Sequence, residues 1–254
     1  MRNILVLQHV AHEPLGTLNP LLKIHGLRIR YVNYERDPHA KIDVTKYNGL
    51  VILGGPMGVY EAHKYPHITE ELKIIEAALK KNIPILGICL GAQMLATVLS
   101  AQVRPHHEKE LGWHPVHLTS KGQNDPLFSH FLENETIFQM HGDTFDIPQT
   151  TDHLAFSQLC EGQAFRYGTK AYGLQFHLEV DAQMIKRLMK NPIVLNDFKM
   201  AGGKTSPEQV LEETKKHIER SLQLSHKTFT KFIELFALPE KKIVLGSGHE
   251  KSRR

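Results

Sequence analysis

The sequence predicts an α/β fold: a mostly parallel open sheet with helices on both faces, extended by β-hairpins and a C-terminal helical segment. Three observations carry this expectation. Short apolar runs alternate with helical patterns ahead of Val103, as parallel strands with crossover helices require. The period shortens to that of strands from Val103. A helical pattern returns at Ala182 and dominates from Glu208.

Ile4 to Leu7 is the first strand, followed by Leu15, Leu18, Leu21 and Leu22 at helical spacing. Leu27 to Val32 is a second, and its alternating basic residues place it near an edge. Leu50 to Leu53 is a third and runs into Gly54-Gly55-Pro56. Ile68 to Lys81 is an amphipathic helix with Leu72, Ile75, Ala78 and Leu79 on one face. Ile83 to Ile88 is a fourth strand, and Ala92 to Leu99 a buried helix. Trp113 to Leu118, Thr136 to Met140, His153 to Gln158, Ala164 to Tyr167 and Ala171 to Phe176 are short and β-like. Ala182 to Met189 and Glu208 to Phe236 are helical. The expected organisation is a main domain over residues 1–190, a helical extension packed on it over 191–238, and a flexible basic tail over 239–254.

The chain of 254 residues has room for one large α/β domain or two small ones. Its 41% hydrophobic and 23% charged residues are ordinary for a globular protein. A net charge of +4, with no compact Lys/Arg stripe, gives no reason to expect a nucleic-acid partner. The two cysteines, Cys89 and Cys160, form no CxxC pair, which argues for a reducing compartment and against a disulfide scaffold or zinc ribbon. No apolar run is long enough to span a membrane, and the first is too short for a signal peptide. The expectation is a soluble cytoplasmic protein without metal or cofactor.

The sharpest local signal is Gly87-Ile88-Cys89-Leu90-Gly91, between an apolar strand and a helix. Gly-x-nucleophile-x-Gly at such a junction is a nucleophile elbow, here with cysteine as the nucleophile. The glycines keep side chains out of a turn too tight to hold them. The helix that follows aims its amino end at Cys89 and favours the thiolate. The Leu90 amide then points at a substrate oxygen as one donor of an oxyanion hole. A cysteine nucleophile also needs a base, and the base an orienting acid. Two segments offer both at i, i+2 spacing: His177 with Glu179, and His141 with Asp143. The residues alone leave the choice open. Gly54-Gly55 ends a parallel strand, so its amides reach the same sheet edge as Cys89. Other histidines, among them His106, His107 and His130, read as surface residues.

In order along the chain, Gly54-Gly55-Pro56, the Gly87 to Gln93 elbow, His141-Gly142-Asp143 and Gln175-Phe176-His177-Leu178-Glu179 resemble the flavodoxin-like class I glutamine amidotransferase domain. The branch is that of the GMP synthetase glutaminase part, and the resemblance covers residues 3 to 190. It implies Cys89 as nucleophile on the glutamine side-chain amide, His177 as base and acid, and Glu179 as its orienting group. It implies further that Gly55 and Leu90 supply the oxyanion amides, and that Gln93, His141 and Asp143 line the substrate pocket. A γ-glutamyl thioester would then be cleaved by water. The family's proline between histidine and glutamate is Leu178 here; proline takes no part in the chemistry. The residues after 190 are too few for an ATP-dependent synthetase domain, so a stand-alone amidotransferase domain is expected. Its ammonia would go to a partner synthetase subunit or be released, and the C-terminal helices could instead form a homodimer face. Hydrolysis of γ-glutamyl peptides or conjugates uses the same chemistry and is the alternative. A regulatory module without turnover, or a cysteine-based stress protein, would leave the intact set of motifs unexplained.

Overall fold

A computed structural model describes residues 2–236. Its strands are β1 (Asn3–Gln8), β2 (Arg28–Asn33), β3 (Gly49–Ile52), β4 (Ile85–Ile88), β5 (Val103–Leu118), β6 (Asn134–Phe145), β7 (Thr151–Phe156), β8 (Ala164–Tyr167) and β9 (Ala171–Leu174). Its helices are α1 (Leu18–Ile24), α2 (His67–Lys80), α3 (Leu90–Val98), α4 (Ser120–Gln123), α5 (Ala182–Leu188), α6 (Pro192–Met200) and α7 (Pro207–Glu234).

All nine of these strands join one sheet in the order β2-β1-β3-β4-β9-β8-β7-β5-β6. The run from β2 to β9 is parallel, and from β9 to β6 every neighbour is antiparallel. The expected hairpins therefore continue the parallel sheet as its other half. β3 and β4 are buried along their whole length, which is why they read as unbroken apolar runs. β2 lies at one edge and leaves Arg28 and Arg30 exposed. β5 is much longer than Trp113 to Leu118. Its first half is the polar run Arg104 to Glu110, with an irregular register against β6 between Pro105 and Glu110, so no alternation marks it.

Side-chain alternation along β1 feeds two cores. Ile4 and Val6 face one side with α1 and with Leu224, Phe229, Phe232 and Ile233 of α7. Leu5 and Leu7 face the other with Ile68, Ile75 and Ala78 of α2 and Leu90, Met94 and Leu95 of α3. A third cluster holds Leu111, Trp113 and Phe138 against α5, α6 and Val210. The first turn of α7 is closed by Ser206, whose hydroxyl accepts from the Gln209 amide at 3.2 Å. Trp113 Nε1 donates to Thr214 Oγ1 at 3.0 Å, fixing the helix to β5. The helix thus lays its apolar side on its own domain. The basic tail expected from residue 239 lies outside the described residues. Among those described, no helix is long and apolar enough to cross a membrane.

Candidate active site

Cys89 sits between the end of β4 and the start of α3 with φ 52° and ψ −108°. This backbone region is costly for a residue with a side chain and persists only where its surroundings impose it. The surroundings do so here. The Cys89 amide donates to the Leu174 carbonyl of β9 at 2.8 Å. A Cβ on Gly87 would lie 2.4 Å from the Gly91 oxygen, and one on Gly91 would lie 2.2 Å from the Ile52 oxygen. Both glycines are therefore required, for the reason expected of an elbow. Cys89 is the residue that precedes the first turn of α3, where a helix leaves its amides without intrahelical partners.

His177 follows β9, the strand beside β4. Its amide donates to the Phe138 carbonyl at 2.9 Å, and its Nδ1 donates to Glu179 Oε1 at 2.6 Å. Nε2 has no hydrogen-bond partner among the described residues. Histidine and glutamate are only 2% and 3% exposed. Burial opposes a charge on His177, but the Glu179 carboxylate and the neighbouring Cys89 thiol outweigh it. They hold the imidazole well above its ordinary pKa.

The second dyad does not form. His141 Nδ1 donates to the backbone oxygen of Asp143 at 2.9 Å, while Nε2 bonds Glu110 Oε2 at 2.9 Å. Its acidic partner is thus Glu110, which the sequence reading does not single out. Glu110 is buried and also accepts from Ser157 Oγ at 2.7 Å and Gln163 Nε2 at 2.6 Å. Burial pushes its carboxyl pKa up, and the hydrogen bond and charge of His141, with a smaller contribution from Ser157, outweigh burial and lower it. Ligand-type atoms of Glu110, His141 and Cys160 lie within 4.8 Å of one another. The first two already satisfy each other, and the Cys160 thiol contacts Thr144 Oγ1 at 3.0 Å. Burial raises the Cys160 pKa, so this thiol has the character of an inert core cysteine.

A cavity of about 450 Å³ opens over Cys89, and Gly55, Gln93, His141 and Asp143 also line it. Leu90, His177 and Glu179 lie behind this wall, buried. Gln93 Nε2 donates to Gln175 Oε1 at 3.1 Å and to the Asp143 carbonyl at 3.4 Å. Asp143 is half-buried, and burial raises its pKa. The outer rim comes from residues that sequence patterns leave unmarked: Tyr60, Lys109, and Ile193 and Asp197 of α6. Lys109 Nζ bonds Asp197 Oδ1 at 2.6 Å, so part of the helical extension is a wall of the site. His106, expected at the surface, is half-buried on this rim.

The sequence profile of the glutamine amidotransferase class-I family matches residues 19–194. The chain belongs to this family. The chain is 32% identical over 186 residues to the glutamine amidotransferase-like protein YfeJ of Salmonella typhimurium, covering 72% of this chain and 78% of YfeJ. It is 31% identical over 159 residues to a glutamine-hydrolysing GMP synthase of Porphyromonas gingivalis, of whose length it spans 30%. A solved glutamine amidotransferase from Thermotoga maritima superposes with a TM-score of 0.80 at 34% identity. That match covers 92% of this chain and 97% of the other. One from Methylobacillus flagellatus shares the fold at a TM-score of 0.84 and 21% identity, over 100% of both chains.

Proposed function

We propose that the protein hydrolyses the side-chain amide of glutamine to glutamate and ammonia through a γ-glutamyl thioester on Cys89. The observation that carries this reading is the buried His177–Glu179 pair behind a thiol held in strained backbone at the floor of the cavity. The thiolate of Cys89 attacks the amide carbon, and the carbonyl oxygen gathers negative charge between the amides of Gly55 and Leu90. His177, charged through Glu179, gives its Nε2 proton to the departing nitrogen, and ammonia leaves. Neutral His177 then takes a proton from water, whose oxygen attacks the thioester and releases glutamate and the thiolate. Gln93 and Asp143 contact the substrate, and His141 acts as a wall held by Glu110. The domain limits follow the same reading, with residues 1–190 as the amidotransferase domain and the helices after it as its extension.

A second reading has one observation in its favour. The cavity continues past the reacting centre to Lys109 and Asp197, giving room for a substituent on the leaving nitrogen, as in a γ-glutamyl peptide or conjugate. A synthetase partner, in the manner of GMP synthase, would instead receive the ammonia in a cytoplasmic setting.

Glutamate release by the purified chain tests the proposal, with Cys89→Ala as background and γ-glutamyl peptides run beside glutamine. Turnover should vanish in Cys89→Ala and fall by roughly 10³-fold in His177→Ala. A glutamine-like electrophile should label Cys89. Dominant labelling of Cys160, or release no greater than background on every substrate, would reject the reading.

A further inference from the structure

Behind the Gly54-Gly55 loop lies a buried chain of three titratable groups that the reaction above does not use. His9, Glu71 and His67 are 1%, 0% and 4% exposed. His9 Nδ1 lies 2.8 Å from the carbonyl oxygen of Gly54, and its Nε2 lies 2.8 Å from Glu71 Oε2. The other oxygen of Glu71 meets His67 Nδ1 at 2.7 Å. Tyr34 stacks on the His67 ring at 4.9 Å between centroids and closes the group.

Proton counting sets the state of His9. Both ring nitrogens face acceptors, a carbonyl and a carboxylate, and neutral imidazole can donate only once. Burial raises the Glu71 pKa, but His9 and His67 outweigh it and keep the carboxyl ionised, so both bonds are made together only when the ring is protonated. The other titratable groups around it are His67 from α2, Tyr34 after β2 and Glu13 after β1. Burial lowers the His9 pKa, but the Glu71 charge and hydrogen bond outweigh it and leave it raised.

The carbonyl that His9 engages belongs to the same planar peptide unit as the Gly55 N–H. A charged donor on that oxygen draws electron density through the unit and makes the N–H a stronger donor. The loop is also wedged: a Cβ on Gly55 would lie 2.9 Å from the His9 Cβ and 3.1 Å from Leu90 Cδ2. We propose that His9, held charged by Glu71, is a positioning residue that orients and polarises the Gly54–Gly55 peptide for the developing oxyanion. Its catalytic consequence rests on the reading of Gly55 as an oxyanion donor.

Three variants of the full chain test this: His9→Asn, which keeps a donor near Gly54 without the charge, His9→Ala, and Glu71→Gln. The kcat for glutamate release should fall about 10- to 100-fold in His9→Ala and less in His9→Asn, with KM changed little. Alkylation of Cys89 by iodoacetamide needs no oxyanion hole and should keep its rate. In the wild type the Gly55 amide proton should move upfield as pH rises through the His9 titration. That step should vanish in His9→Asn and shift to lower pH in Glu71→Gln. Wild-type kcat in both His9 variants, or alkylation falling in step with turnover, would overturn the proposal. So would a Gly55 amide titration unchanged in His9→Asn. Absent turnover in the wild type would instead defeat the hydrolase reading, and the amide titration would still judge the relay.

Discussion

Glu13 and His177 flank the same glycine: a Cβ on Gly54 would lie 2.1 Å from Glu13 Oε2 and 3.4 Å from His177 Cε1. Glu13 is buried, and burial raises its pKa above 4.5, with His177 pulling it down and Glu179 pushing it up. In the window from pH 4.5 up to the raised value, the folded chain holds the Glu13 proton more tightly than the unfolded chain does. Stability from this group therefore falls as pH rises through the window. Glu13→Gln removes that loss. Its Tm relative to wild type should rise from about pH 4.5 up through the raised value and level off above it in a scan of thermal midpoints. A flat or falling difference would show that Glu13 is compensated in the fold.

Gly91 has no room for a methyl group. Gly91→Ala should lower unfolding free energy by about 1–3 kcal/mol, because the Ile52 carbonyl is backbone and gives way poorly. It should also slow thiol alkylation of Cys89, since any relaxation moves the first turn of α3. Denaturant unfolding and alkylation rates read the two effects. Normal values of both would mean the elbow is looser than its contacts indicate.

The pairing of His141 with Glu110 adds a stability effect to the pocket-lining effect expected of it. His141→Ala strands a buried carboxylate and should cost about 3–5 kcal/mol. At temperatures where the variant remains folded, KM for glutamine should rise more than kcat falls, since the cavity wall shifts and Cys89 does not. Steady-state kinetics beside a melting curve decide it. A loss confined to kcat would give His141 a direct part in the reaction.

Helix α7 belongs to the core by the same measure. Phe232 is fully buried against the sheet, so Phe232→Ala should cost about 3–5 kcal/mol in equilibrium unfolding. A cost under about 1 kcal/mol would mark the helix as loosely attached and free to serve another partner.

The parts of the site that sequence made legible are those where backbone geometry dictates residue type. The elbow announces itself through Gly87 and Gly91, and β4 and α3 through unbroken apolar runs. His177 and Glu179 stand out through their i, i+2 spacing, although they lie past the end of β9 and separating them from His141 and Asp143 required the family resemblance. Buried charge was illegible. His9, Glu13, Glu71 and Glu110 look like surface residues in any hydropathy pattern, and only three-dimensional pairing reveals why each is tolerated inside. Glu71 even lies on the apolar face of α2, where the pattern pointed to Leu72 and Leu79, both half-buried instead. The start of β5 escaped because its residues are polar on both faces. The part of α6 in the cavity rim escaped because nothing local distinguishes a helix that lines a site from one that covers a core.

The parallel pairing of β4 with β9, from Ile85 against Ala171 to Ile88 against Leu174, sets a schedule for the chain. Cys89 follows the first of these strands and His177 the second, with the entire antiparallel half of the sheet between them in sequence. A contact of such long range closes slowly, because the intervening chain must be ordered first. A nascent chain carries the Cys89 thiol long before it carries the His177 imidazole, and in a refolding chain the two stay apart until this pairing forms. The surroundings of Cys89 are therefore a property of the completed sheet, and recovery of its native reactivity times the closure of β4 on β9.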